Sequence, residues 1–275
     1  MPEFEHDQVR SRNEAFAELI PSRIWRETPS ASNPYLATAA QCHGYDLMDL
    51  MQHCRFVEVF YLLFRGELPS EPQAQLLEQL MIALINPGPR HPATRAAMNA
   101  GIGKTEAAHI LPIGLGVLGG AARQVEEAMR FMRRALKTPI DEQLQKLSAA
   151  VSADSPEDWL TASAFESTPG FGRHYGDCDL LTQKLATQLS QLPAAGEVLA
   201  WGESFARALQ PLSAGWLPAG LAAAVFCDLG FQPRVGASLF QLLSAPGLAA
   251  QGVEMSNKPI TAMPFVKDED YVIER

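Results

Sequence analysis

Basic residues are scarce: 22 Lys plus Arg stand against 31 Asp plus Glu, a formal net charge of −9 over 275 residues. Nucleic acid is held chiefly through phosphate contacts from Lys and Arg, so a chain with this balance is not expected to bind it. Cysteine is scarcer still. The four, Cys42, Cys54, Cys178 and Cys227, are widely spaced and none forms a Cys-x-x-Cys pair, which argues against a disulfide-stapled scaffold and against a thiolate metal centre. Reduced thiols in a cytoplasmic protein are the expectation. Long apolar runs are missing as well. The stretch 110–122 is interrupted by Pro112 and several glycines, and 217–230 by Pro218, Gly220 and Asp228, so neither offers the roughly 20 apolar residues of a bilayer span. The first residues, MPEFEHDQVRSRNEAFAELI, have no basic flank leading into an apolar core, and no export signal or membrane association is expected. There is no βαβ alternation and no internal repeat.

What is present is a globular composition, 47% hydrophobic and 19% charged, with 20 glycines and 20 prolines scattered as punctuation. In RFVEVFYLLF, Phe56, Val59, Phe60 and Leu63 recur at helical spacing and Gly66 ends the segment. Leu77, Leu80, Met81 and Leu84 predict a second helix over 74–85, with Ser70 as N-cap and Pro72 in a tolerated early position. Ala- and Gly-rich helical pieces follow from 92 to 118, and the stripe Val125, Ala128, Met129 and Met132 predicts a helix over 122–135. Further helices are expected at 142–151, 180–192, 197–209, 219–229, 235–243 and 247–255. The fold class is therefore all-α with few or no strands, the C-terminal PITAMPFVKDEDYVIER forming short extended pieces or an arm.

Two segments concentrate chemistry. PGFGRHYGDCD, 169–179, compresses glycines, aromatics, a histidine, an arginine and acids into one loop. There His174 can serve as acid, base or carbonyl hydrogen-bond donor, Asp177 or Asp179 can orient it, and Arg173 can hold a carboxylate through two bonds. The alternative is a structural turn in which Tyr175 packs and the charges are solvated. In NPGPRHP, 86–92, Arg90 and His91 lie between prolines that restrict the backbone, either to present them to a ligand or to form a stiff surface turn. GLGVLGG carries GxGxxG spacing at Gly114, Gly116 and Gly119, but no strand precedes it, and it reads as a helix-to-helix join that allows close packing. Lys104 in GIGKT can attract an anion at a helix N-terminus. His109 falls on an apolar helix and is expected in the core, and no His, Cys or carboxylate set has metal-ligand spacing.

The order of segments resembles the citrate synthase superfamily, particularly its short citryl-CoA-lyase-like branch. The likeness runs from IWRETPSASNPY through GYDLMDLMQHCRFVEVFYLLFRGELPSE, Gly44 to Glu71, then GLGVLGGA, where members commonly have a GxLHGGA-like join, and PGFG, where they commonly have PGFGH. The resemblance implies a two-domain helical homodimer: a large domain from 1–118 and 219–275, the latter including a C-terminal arm, and a small mobile domain from 119–218. In members the cleft takes a CoA thioester and a carboxylated carbonyl compound, or cleaves the condensed thioester. Acid–base groups form or consume an enol, a histidine polarises the carbonyl and arginines hold the carboxylates. No tightly bound cofactor is implied, with CoA entering as part of the substrate.

At the family's chemical positions this chain departs. The histidine before GGA is missing: either Gly119 occupies its place or the segment is one residue shorter. In PGFGRHY the histidine position falls on Arg173, with His174 one place later. The arginine of a later DPR-like sequence is absent from Asp179–Leu181. Where the late catalytic aspartate belongs, SAGWLPAG offers Trp216, which cannot abstract a proton, and Ser244 and Gln251 stand near the places of a carboxylate-binding arginine and a histidine. Two readings follow. One is an enzyme acting on a CoA thioester or carboxylated acid through His174, Arg173 and Asp177, with Arg90, His91 and Trp216 contacting substrate. The other is a non-catalytic dimer that binds, regulates, or pairs with an intact homologue as a hetero-oligomer.

Overall fold

The structure is a computed structural model, and it describes residues 22–151 and 165–263. The N-terminal segment read for export and the extended pieces expected beyond Met263 lie outside the described residues. The protein is predominantly helical, with only small antiparallel sheets among the described residues, and it divides after Leu68 into two compact units.

In the first unit, β1 (Trp25–Pro29), β2 (Ala37–Cys42) and β3 (Tyr45–Asp46) form an antiparallel meander in which Trp25 pairs with Cys42 and Cys42 with Tyr45. The β2–β3 turn needs left-handed backbone at both central residues, which His43 (φ 48°) and Gly44 (φ 89°) adopt. Asp46 then caps α1 (Leu47–His53) by accepting from the Met48 amide at 2.8 Å. Helix α2 (Phe56–Arg65) begins where the Arg55 amide donates to Glu58 and ends on Gly66 in the left-handed region, φ 76°. Its buried residues are Val57, Phe60, Tyr61 and Leu62, whereas Phe56, expected on the buried stripe, is 76% exposed.

The second unit opens with α3 (Glu71–Ala83), whose Ser70 amide donates to Gln73 in a capping box, with Pro72 in the first turn as the sequence predicts. Helices α4 (Pro92–Ile102) and α5 (Ala107–Ala135) follow, then α6 (Ile140–Val151), the two-residue strand β4 (Phe171–Gly172), α7 (Leu180–Leu189) and α8 (Glu197–Leu209). Strand β5 (Gly215–Trp216) pairs with β4, and α9 (Pro218–Asp228) and α10 (Pro233–Ser256) follow, with a short 3-10 turn at Ile260–Ala262 after them. Helix α9 is the centre of this unit: every residue from Ala219 to Phe226 is buried.

Two expected breaks do not occur. The join read at GLGVLGG is helical, and α5 runs unbroken through Pro112 and the glycines. Ile110, Gly114, Leu118, Ala122 and Val125 keep one buried face across it, and Gly114 lets α5 approach Ala97 of α4 and Leu248 of α10, so tertiary burial overrides poor local propensity. The two helices expected at 235–243 and 247–255 are one, α10, with Pro246 on its exposed side. Here the Gly247 amide turns outward and donates to the Ile85 carbonyl at 3.0 Å. A Cβ at 247 would lie 2.5 Å from that oxygen.

Two charged residues terminate helices, among them Lys104, which the sequence offered as an anion ligand. Lys104, itself in left-handed backbone at φ 60°, donates through Nζ to the carbonyls of Ser256 and Lys258, closing the C-terminus of α10 where a cation is favoured. Asp228 accepts from the amides of Gly196, Val198 and Leu199 at 2.9, 3.0 and 3.0 Å, capping α8. Burial raises its pKa despite those bonds. His109, expected in the core, has a side chain 66% exposed beside Glu106. All four cysteines are free thiols, and burial pushes Cys227 up to about 11. No described helix is long and apolar enough to cross a membrane.

Candidate functional site

The segment leaving α3 is tied down before it reaches its polar residues. Ser244 donates to the Leu84 carbonyl (3.5 Å), Gly247 to Ile85, and Gln251 Nε2 to Asn86 Oδ1 (3.1 Å), so one face of α10 holds Leu84 to Asn86. Asn86 Oδ1 also accepts the Gly88 amide at 2.8 Å, making an Asx turn, and the His91 amide donates to the Gly88 carbonyl at 3.2 Å. The loop delivers His91 as the N-cap of α4, where its Nδ1 accepts the Ala93 amide at 3.1 Å. That bond selects the tautomer: neutral His91 carries its proton on Nε2 and keeps one donor.

The second arm of the site begins at β4. Phe171 pairs with Trp216 and Gly172 with Gly215, and the chain then enters a tight hairpin in which the His174 amide donates to the Asp177 carbonyl at 2.6 Å and the Asp177 amide returns to His174 at 3.3 Å. Tyr175 (φ 52°) and Gly176 (φ 88°) supply the two left-handed residues of that turn. The Tyr175 hydroxyl donates to the Arg90 carbonyl at 3.2 Å, joining hairpin to loop, and its ring sits edge-on to the His174 imidazole, 4.4 Å between centroids.

Loop and hairpin border a cavity of about 450 Å³. It brings together Arg90, His91, His174, Tyr175, Asp179 and Thr182, while Leu118, Leu217 and Phe240 supply apolar wall. Asp179 caps α7, accepting the Thr182 amide on Oδ1 (3.0 Å) and the Thr182 hydroxyl on Oδ2 (2.7 Å). Both of its oxygens therefore already hold a donor.

Other sequence candidates stand apart. Arg173 donates from Nε to the Leu212 carbonyl at 3.0 Å and lies over the Phe165 ring at 5.9 Å, outside the residues that line the cavity. Asp177 is exposed, accepts the Cys178 amide at 2.7 Å, and is not a lining residue. Trp216 is fully buried, tilted against Phe171 at 4.6 Å, with its indole N–H donating to Glu203 at 3.0 Å. It fills an aromatic cluster with Phe205 and Trp201, and a Cβ at Gly202 would overlap its ring. Leu118 and Ala121 of α5 line the cavity, whereas Gly119 and Gly120 do not. Sequence reading passed over Gln124, Thr182 and the wall residues. Thr182 carries a signal, three residues after an aspartate at a helix start, but Gln124 has none, because only the path of α5 brings it to the cavity.

The surroundings of His91 favour its neutral form: burial first, then the nearby charge of His174, lower its pKa from 6.5. Well above 6.5 both folded and unfolded chains hold a neutral imidazole and the group contributes nothing. As the pH falls below that value the unfolded chain takes a proton that folded His91 resists, so stability declines until the folded group is protonated too. The urea midpoint of the protein is expected to fall more steeply from pH 7.5 to pH 5 than that of His91→Asn, whose amide oxygen keeps the cap. Parallel slopes would refute this assignment.

No protein-family model and no curated protein sequence matches the chain. Solved structures do. Citryl-CoA lyase from Hydrogenobacter thermophilus is 24% identical and superposes with a TM-score of 0.67 over 94% of each chain. The chain has the citrate synthase-type fold. ATP citrate lyase from Methanosaeta concilii, solved with (3S)-citryl-CoA, gives a TM-score of 0.67 at 17% identity, over 95% of this chain and 42% of that one. Citrate synthase from the archaeon Thermoplasma acidophilum gives 0.55 at 17% identity, over 80% and 57%. The fold expected from colinear motifs is thus present, and this chain covers 94% of the citryl-CoA lyase chain. Within this fold the segment read as a GGA join is the middle of α5, so Leu118, rather than a glycine, faces the cavity there. Ser244 and Gln251 bond the loop that carries Arg90 and His91.

Proposed function

We propose that the cavity binds a carboxylated hydroxy acid as its CoA thioester, the substrate class of the lyase it resembles in fold, and serves cleavage or formation of the bond between the thioester's α-carbon and the hydroxyl-bearing carbon. The observation that supports this most is the convergence of two imidazoles and one guanidinium on a single cavity beside an apolar wall. Arg90 holds a carboxylate. In the cleavage direction His174 accepts the hydroxyl proton, the carbon–carbon bond breaks with its electron pair passing into the thioester enolate, and a carbonyl acid forms. The enolate carbon then takes a proton from a protonated imidazole, releasing the shorter acyl thioester. Asp179 is an unsuitable carbon base, because Thr182 occupies both of its oxygens.

A second reading, binding without turnover, alone or beside an intact homologue, is favoured by the buried Trp216, an apolar residue where the family resemblance places an aspartate. Incubating the full chain with citryl-CoA, following acyl-CoA products chromatographically and binding by calorimetry, separates the two. Product formation supports the lyase reading, saturable binding without product supports the second, and absence of binding sinks both.

The assembly we propose is a homodimer. Helix α5 leaves Ile113 and Val117 exposed one turn apart, and α10 leaves Leu242 and Val253 exposed. Such uncovered apolar faces on adjacent long helices fit a second copy of the chain. Light scattering is expected to give twice the 30.0 kDa chain mass, and Val117→Asp to shift the population to monomer. A wild-type monomer at all working concentrations would reject the dimer.

A further inference from the structure

Beside the cavity lies a separate depression of about 360 Å³ lined by Pro89, Arg90, Arg95 and Tyr175. Pro89, Arg90 and Tyr175 also border the cavity, so the two spaces share a wall, and Arg95 belongs to the outer one alone. In this acidic chain other arginines have clear structural work: Arg123 pairs with Glu127 at 3.0 Å, Arg130 with Glu126 at 2.6 Å, and Arg133 donates to the Phe231 carbonyl. Among the described residues neither Arg90 nor Arg95 has a carboxylate partner. The fold itself gives no reason for Arg95, since a cation in the first turn of α4 opposes the helix dipole and no acidic residue in that turn offsets it. Two guanidinium groups without a carboxylate partner in one depression present ten N–H donors between them and no acceptor, a set that suits an oxyanion.

We propose that Arg90 and Arg95 form a rim site for an oxyanion carried by the same ligand that fills the cavity. This rests on the cavity being a ligand site, as proposed above. The shared wall is the reason: a ligand seated against His91 and His174 has only to pass Arg90 and Tyr175 to place a second anionic group between the two arginines. That group is either a phosphate of a nucleotide-bearing thioester or a further carboxylate of a polycarboxylic acid, and the same guanidinium geometry recognises both.

Calorimetric titration of the full chain with inorganic diphosphate, CoA and citrate, at low and high salt, tests it. Arg95→Ala is expected to weaken binding of the matching probe about tenfold and Arg95→Glu about a hundredfold, with unfolding midpoints that do not fall, since removing the cation relieves its opposition to the helix dipole, and a wild-type affinity that falls as salt rises. Losses confined to diphosphate and CoA identify a phosphate, and a loss that extends to citrate identifies a carboxylate. Equal affinity of wild type and Arg95→Glu for all three probes overturns the site. Diphosphate binding that is unchanged in His174→Ala supports a distinct rim site even where that chain shows no turnover, so the two proposals fail separately.

Discussion

Replacing Gly220 with alanine is expected to cost about 3 kcal/mol or more, a large part of the roughly 5–15 kcal/mol that holds a domain folded. A Cβ at this position would overlap the carbonyl oxygen of Gly170. The obstacle is backbone, so no rotamer change relieves it. Gly170 cannot give way easily, because it sits at φ 90°, a Cβ built on it would itself lie 2.7 Å from the Gly220 Cα, and its carbonyl accepts the Leu217 amide at 3.0 Å. This contact is where the segment leading to His174 meets the start of α9, whose Pro218 and Ala219 line the cavity. The loss should therefore extend from stability to any ligand binding. Denaturant unfolding checks it, with Gly116→Ala as the control: nothing lies within 4 Å of a Cβ there, and the helix should gain about 0.5–1 kcal/mol. An unfolding midpoint for Gly220→Ala equal to that of the parent would show that the two backbones are not in contact.

The largest functional effect should come from His174→Ala. If the imidazole accepts the substrate hydroxyl proton, its removal lowers kcat by about 10²–10⁴-fold with a smaller change in KM. The hairpin that carries it should survive, since both cross-turn hydrogen bonds are made by backbone atoms and the left-handed residues are Tyr175 and Gly176. His91 needs a different substitution. His91→Ala would also remove the acceptor for the Ala93 amide, at a cost of about 1 kcal/mol, and so mix a cap defect with a chemical one. His91→Asn keeps an acceptor oxygen and removes only the proton transfer. Wild-type kcat in His174→Ala, with citryl-CoA as substrate, would take His174 out of the reaction.

Two of the sequence candidates that lie away from the cavity share one property: their neighbours come from distant parts of the chain. Arg173 and Trp216 lie in segments rich in functional residue types, yet Arg173 bonds the Leu212 carbonyl and Trp216 packs between Phe171 and Gly202. A side chain's type says what it can do, and its surroundings decide whether it faces a ligand or a core. Glycine and proline at 112–120 and at 246 gave the same difficulty in another form. Local propensity argues for breaks there, but burial along a continuous face keeps α5 and α10 whole.

The chain's own order of residues determined the helical class, most helix limits, the cap at Ser70 and the stop at Gly66, because those depend on periodicity and on groups within a few residues of one another. The meeting of Arg90, His91 and His174 at one cavity was decided only by the tertiary structure. It depends on α10 holding the loop at Leu84 to Asn86 and on the β4–β5 pair aiming the hairpin, and hydrogen bonds spanning about 160 residues leave no local trace in a sequence.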